Sequence, residues 1–211
     1  MKYKMICIDM DGTLLGKRKR ISERNKNAIK QAHDKGIEIV VTTGRLYNNA
    51  AYFSKLLGVD SPVIAANGAI VIDQKNNEVI YECGIPKDEC IKILKILIKY
   101  NSFFQFNTRN MIYCNNWITK TATKSYMTKQ HFFEHLQVEY EIVKSQECWI
   151  NIFNKEEVDK SIVFTPLKST MIKIKDEINK LNSVDCFASG DHSLEINYKD
   201  VSKGNAIKSL L

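Results

Sequence analysis

The chain has 211 residues, a formal net charge of +7, 44% hydrophobic residues and six cysteines. That length can bury one large core or two smaller ones, and the composition excludes collagen-like, disordered and membrane-spanning classes. Cys7, Cys83, Cys90, Cys114, Cys148 and Cys186 are scattered with no CxxC pair, so neither a zinc site nor a disulfide framework is expected and a cytoplasmic protein with free thiols is.

Residues 3–8 form a short apolar run that predicts a buried strand, too short for a signal peptide and leading straight into two acids. Asp9-Met10-Asp11-Gly12-Thr13 follows. In an open α/β sheet the residues just past a strand's carboxyl end face the ligand crevice. Paired acids there suit a hard cation and offer a carboxylate nucleophile; the alternative is a plain Asx turn closed by Gly12. Lys17-Arg18-Lys19-Arg20 is the densest basic run. The other basic residues are mostly lysines mixed with acids, without the interleaved aromatics of a nucleic-acid surface. No nucleic-acid partner is therefore expected, and the run serves to attract anionic esters.

Ser22 is a suitable N-cap for a helix over 22–35, with Ala28, Ile29 and Ala32 in its apolar stripe and Gly36 closing it. A second strand over 37–42 ends in Thr43-Gly44-Arg45. A helix then carries Ala50, Phe53, Leu56 and Leu57 to Gly58, and a third strand over 62–66 ends in Asn67-Gly68-Ala69. Alternating strands and helices predict a parallel sheet with right-handed crossovers. Segments 69–72 and 79–82 flank Gln74-Lys75-Asn76-Asn77 as a hairpin.

From about residue 84 the pattern changes. A helix is predicted over 87–100, strands over 103–106 and 111–114, a helix over 119–133, a strand over 161–165, a helix over 167–181 and a strand over 184–188. This order fits an α+β layer; 143–159 carries no clear pattern. Phe103, Phe104, Phe106, Tyr113 and Trp117 are expected mainly as core, with a pocket lining as the alternative. His131 and His135 stand four apart but lack a third ligand at metal-site spacing. Gly190-Asp191-His192-Ser193 reads as a hairpin turn. Val201-Ser202-Lys203-Gly204 opens a final helix.

The segments DMDGTLL, TTGR, AANGA and VSKG, in this order, resemble the haloacid dehalogenase superfamily, in particular its Cof-like phosphatases with a large inserted cap. The resemblance implies a Rossmann-like α/β core over 1–83 and 188–211 and an α+β cap over 84–187. It implies Asp9 as the nucleophile that carries an aspartyl-phosphate and Asp11 as general acid and base. Mg²⁺ would be held by Asp9 and the Asp11 carbonyl. Thr43 and Lys203 would act on the transferring phosphoryl group, with Gly44, Arg45 and Asn67 also at the phosphate-binding site. The substrate implied is a small phosphorylated metabolite, a sugar phosphate or similar, with no nucleic-acid or membrane partner.

The family carries a further acidic cluster, Gly-Asp-x-x-Asn-Asp, after the lysine helix, whereas this sequence ends at Ser209-Leu210-Leu211. The expectation is a core incomplete at its C-terminal side, with a first strand that lacks one neighbour and invites self-association. The rival functional expectation is a catalytically impaired or inactive binder of phosphate esters.

Overall fold

The computed structural model describes residues 3–16, 20–130 and 138–211. The basic run at 17–19 and both His131 and His135 lie outside the described residues. The chain divides into two compact units, one of Met1–Glu82 with Val201–Leu211, the other taking in Cys83–Phe132 and Gln137–Asp200.

The first unit is built on a five-stranded sheet. Its strands are β1 (Met5–Asp9), β2 (Glu38–Thr42), β3 (Val63–Ala65), β4 (Ile70–Asp73) and β5 (Glu78–Glu82), side by side in that order. The first three are parallel, with Asp9 opposite Thr42 and Thr42 opposite Ile64, and β4 and β5 run antiparallel. Helix α1 (Glu23–Asp34) and helix α2 (Tyr47–Lys55) are the crossovers. Ser22 caps α1 by accepting from the Asn25 amide at 3.1 Å. Gly36 and Gly58, at φ +78° and +68°, take the left-handed conformation that ends a helix without a Cβ penalty.

Ile29, Ile39, Val41, Phe53, Leu57, Val63 and Ile70 fill one face of this sheet. On the other face Val40, Ile64 and Val71 pack under Ala206 of helix α7 (Lys203–Lys208). The expected stripe on α1 is narrower than its sequence suggests, since Ile29 is buried while Ala28 faces solvent. Strand β1 pairs only with β2 among the described residues and leaves its outer edge open.

The second unit carries a six-stranded sheet. Its strands are β6 (Phe103–Asn107), β7 (Met111–Cys114), β8 (Glu139–Ile142), β9 (Lys160–Phe164), β10 (Val184–Gly190) and β11 (Ser193–Tyr198), in the order β10-β11-β9-β6-β7-β8. Helices α3 (Lys87–Lys99), α5 (Gln146–Lys155) and α6 (Lys168–Asn179) supply Ile93, Leu94, Leu97, Trp149, Phe153, Ile174 and Ile178 to its core. Helix α4 (Trp117–Gln130) starts two residues before the expected position. Of the singled-out aromatics, Phe104, Phe106 and Tyr113 belong to this core, whereas Trp117 is 67% exposed.

The expected boundary at 187/188 moves to 200/201. Strand β11 pairs residues Ser193–Ile196 with β9, so the whole β10–β11 hairpin belongs to the second sheet. Asp191 accordingly sits in an exposed turn of that hairpin, as expected of the Gly190–Ser193 stretch.

Candidate active site

The site gathers at the carboxyl ends of β1, β2 and β3, where three loops and the start of α7 meet. Asp9 is the last residue of β1. Beyond it the chain folds back at once, with the Leu14 amide on the Asp9 carbonyl and the Leu15 amide on the Met10 carbonyl. Gly12 at φ +80° makes this reversal feasible. Met10 is fully buried, while Asp9 and Asp11 on either side present carboxylates that are 39% and 41% exposed. One apolar residue thus anchors the loop between two solvent-facing acids.

Each acid has its own cation. Lys203, the first residue of α7, donates from Nζ to Asp9 Oδ1 at 2.5 Å. Asp9 Oδ2 accepts no hydrogen bond among the described residues. Ser202 caps α7 by accepting from the Asn205 amide at 3.1 Å, which fixes where the helix starts. Arg45 donates from Nε to Asp11 Oδ2 at 2.8 Å and from Nη2 to Asp11 Oδ1 at 2.6 Å. This is the bidentate geometry in which a guanidinium fixes a carboxylate most firmly. Arg45 is itself held, since Nη1 donates to Asn49 Oδ1 at 3.1 Å and its guanidinium lies 5.4 Å from the centre of the Phe53 ring. Asn49 and Phe53 stand four and eight residues after Arg45, on the face of α2 that looks back at it.

Thr43 is buried, and its Oγ1 accepts from the Arg45 amide at 3.2 Å, leaving the hydroxyl proton for another acceptor. Its own amide donates to the Ile64 carbonyl. Asn67 donates from its backbone to the Thr43 carbonyl at 3.1 Å, and Ala66 to the Arg45 carbonyl at 2.8 Å. Ala66, Asn67 and Gly68 have successive φ values of 49°, 64° and 105°. Left-handed backbone costs roughly 1–2 kcal/mol for a residue with a side chain, and these hydrogen bonds hold the turn against that cost. A Cβ on Gly44 would stand 2.4 Å from Asn67 Oδ1, so the loops after β2 and β3 touch through a bare glycine.

All seven residues singled out in the sequence, namely Asp9, Asp11, Thr43, Gly44, Arg45, Asn67 and Lys203, therefore lie in the loops and helix start at this one sheet end. Sequence reasoning missed Asn49 and Phe53, whose spacing from Arg45 was the available signal. It also missed Thr42, beside Asp9 in register, whose buried Oγ1 finds no hydrogen-bond partner among the described residues.

A divalent cation can be tested against this donor set. No group of three His, Cys, Asp or Glu suited to a metal occurs among the described residues. Asp9 Oδ2 and the Asp11 carbonyl are the oxygen atoms to weigh against the metal, since both Asp11 side-chain oxygens accept from Arg45. Mg²⁺ fits such a sparse set, because it keeps several waters and takes one or two carboxylates plus phosphate oxygens.

The profile of haloacid dehalogenase-like hydrolases matches residues 6–211. Phosphatase YwpJ of Bacillus subtilis is 29% identical over 235 residues, covering 98% of this chain and 77% of the relative. The 5-amino-6-(5-phospho-D-ribitylamino)uracil phosphatase YwtE of the same organism is 27% identical, covering 98% and 76%. The solved structure of a haloacid dehalogenase-like hydrolase from B. subtilis superposes with a TM-score of 0.80 at 26% identity, covering 98% of this chain and 77% of that one. With the paired acids, the Thr-Gly-Arg loop and the helix-borne lysine assembled at one sheet end, the chain belongs to the haloacid dehalogenase-like hydrolases, as a phosphatase of their Cof-like type.

Proposed function

We propose that this chain hydrolyses small phosphate monoesters, sugar phosphates or similar metabolites, with Mg²⁺ and through an aspartyl-phosphate on Asp9. The observation that carries the reading is the separate pairing of the two acids, Asp9 with Lys203 and Asp11 with Arg45. Two carboxylates in different environments can take different roles. A carboxylate attacks without an activating base, and Asp9 has an oxygen to offer phosphorus. Attack by Oδ2 forms the phosphorus–oxygen bond as the ester oxygen leaves. Lys203 balances charge on Asp9 Oδ1, and in this reading the Thr43 hydroxyl donates to a phosphoryl oxygen. Asp11 gives its proton to the leaving alcohol and then takes one from the water that releases phosphate. Because Arg45 occupies both Asp11 oxygens, proton transfer requires the fork to release one of them. Asp9 and the Asp11 carbonyl would hold Mg²⁺, which would supply neutralising charge for the phosphoryl oxygens.

Relatives that are phosphatases favour this reading over an inactive binder, and the name of YwtE specifies a phosphorylated ribityl compound as that protein's substrate. The test is phosphate release from a panel of sugar and polyol phosphates with Mg²⁺, together with trapping of a phosphoenzyme that Asp9→Asn abolishes. Ester binding without phosphate release from any member would overturn it. The same proposal includes self-association. The open edge of β1 has four apolar residues in five and neither Pro nor Lys within the strand, so a second copy can pair with it antiparallel.

A further inference from the structure

Lys203 reaches Asp9 across 194 positions of sequence, and its backbone must be set down in a defined place for a 2.5 Å contact to form. The structure shows what defines that place. An ideal Cβ on Gly68 would lie 2.4 Å from the Ser202 carbonyl oxygen, 2.5 Å from its carbonyl carbon and 2.9 Å from the Lys203 nitrogen. All three are backbone atoms, so no rotamer change relieves the overlap. Gly68 also has φ +105°, a conformation closed to most side chains. The peptide that begins α7 thus rests directly on the bare Cα of Gly68.

The turn carrying Gly68 is tied to the other half of the site. Its neighbours Ala66 and Asn67 donate to the carbonyls of Arg45 and Thr43, and Asn67 Oδ1 fills the space that a Cβ on Gly44 would need. We infer that Gly68 is a positioning residue for Lys203, and that the 66–68 turn sets the lysine and the Thr43–Arg45 loop against a common backbone support. This rests on the reading of Asp9 and Lys203 as reacting groups for its catalytic consequence, but its geometry can be tested without turnover.

The experiment measures the rate of reductive methylation of Lys203 by mass spectrometry, with exposed Lys199 as the reference. In the unmodified chain Lys203 reacts more slowly than Lys199, because its amine is engaged with Asp9. Gly68→Ala should raise the Lys203 rate several-fold. Gly58→Ala is the control, since Gly58 also has a positive φ of 68° but nothing within 4 Å of an added Cβ; it carries backbone strain without overlap and should leave Lys203 unchanged. In phosphatase assays Gly68→Ala should lower kcat on the order of 10²-fold, the scale of a misplacement near 1 Å. Gly68→Ala/Lys203→Ala should be no worse than Lys203→Ala alone, because residues acting through one contact are not additive.

Unchanged Lys203 labelling in folded Gly68→Ala overturns the inference, whatever the activity. If Gly68→Ala fails to fold, labelling of Ser202→Ala decides instead. Loss of that cap should loosen the same helix start and expose Lys203, and unchanged protection would overturn the inference. If the unmodified chain shows no Asp9-dependent turnover while labelling behaves as stated, the functional reading fails and the positioning role stands.

Discussion

Arg45, 8% exposed, holds Asp11, 41% exposed, through two N–H···O bonds of 2.8 and 2.6 Å. Of the two charges the arginine is the more removed from water, so removal of its partner strands a cation in the protein. Asp11→Ala should destabilise the fold by about 1–3 kcal/mol, the cost of leaving a buried donor unsatisfied. Asp9→Ala should cost less, because Lys203 is 37% exposed and can turn to solvent. Thermal melts of the two variants check the order; equal losses would show that the fork carries no special weight.

The same fork predicts a kinetic signature. Arg45→Lys keeps the charge but loses the planar two-bond grip. Turnover should fall by about 10–100-fold as Asp11 loses its orientation, while KM changes little. Lys203→Ala should cost on the order of 10²–10³-fold in kcat, as for loss of one donor to developing negative charge. Steady-state kinetics on an active ester separate these outcomes. An Arg45→Lys variant with a raised KM and unchanged kcat would instead assign the arginine to substrate binding.

Metal affinity should depend on phosphate. With Asp9 as the one carboxylate not held in a bidentate fork, Mg²⁺ should titrate weakly in calorimetry and more tightly once vanadate or a fluoride complex mimicking phosphate is present. Tight binding of the metal alone would require a ligand beyond the described residues.

Stability should decline in alkali through the buried thiols of the second unit. Burial pushes Cys114 and Cys186 up to about 12 from an ordinary 9.0. The unfolded chain therefore loses these protons first, and each rise in pH above about 9 favours it until the folded thiols ionise too. Melting temperature should be steady near neutrality and fall between pH 9 and 12, less steeply in Cys114→Ala or Cys186→Ala once their own packing loss is subtracted. Exposed Cys148 should react with a thiol reagent at pH 8 while Cys90, Cys114 and Cys186 stay protected.

Pairing of a second copy on the β1 edge, which is open among the described residues, should make the oligomeric state concentration-dependent. Ile6, 37% exposed, is the place to intervene. Ile6→Lys puts a charge on the edge and should shift light scattering toward the monomer. A monomer at all concentrations in the unmodified chain would show that edge pairing does not occur.

The strand ends and helix caps were legible in sequence because their signals are local. Ser22, Gly36, Gly58 and Ser202 each act within a few residues of the terminus they define. Helix α5 was not, although Trp149, Ile152 and Phe153 follow helical spacing, because ten residues between two strands give a short and ambiguous period. The boundary of the second unit was misplaced for another reason. A hairpin announces its own turn, but its membership of a sheet is decided by pairing with β9, some thirty residues upstream in register. At the site the residues that gather at the sheet end could be named from their motifs, but not which base holds which acid. Those pairings span 34 and 194 positions and exist only after folding.

Both tryptophans of the chain lie in the second unit, and they report different surroundings. Trp149 is packed against Phe104, Phe106 and Phe153 with ring centres 5.2–5.8 Å apart, whereas Trp117 stands in water. Intrinsic fluorescence excited at the indole band therefore follows the melting of the six-stranded unit and is silent about the unit that holds Asp9. A blue emission edge from Trp149 should persist until that aromatic cluster opens, and iodide should quench only Trp117 before then. Loss of the structure around Asp9 ahead of this transition would be seen by tyrosine absorbance or by ligand binding, with the indole signal still native.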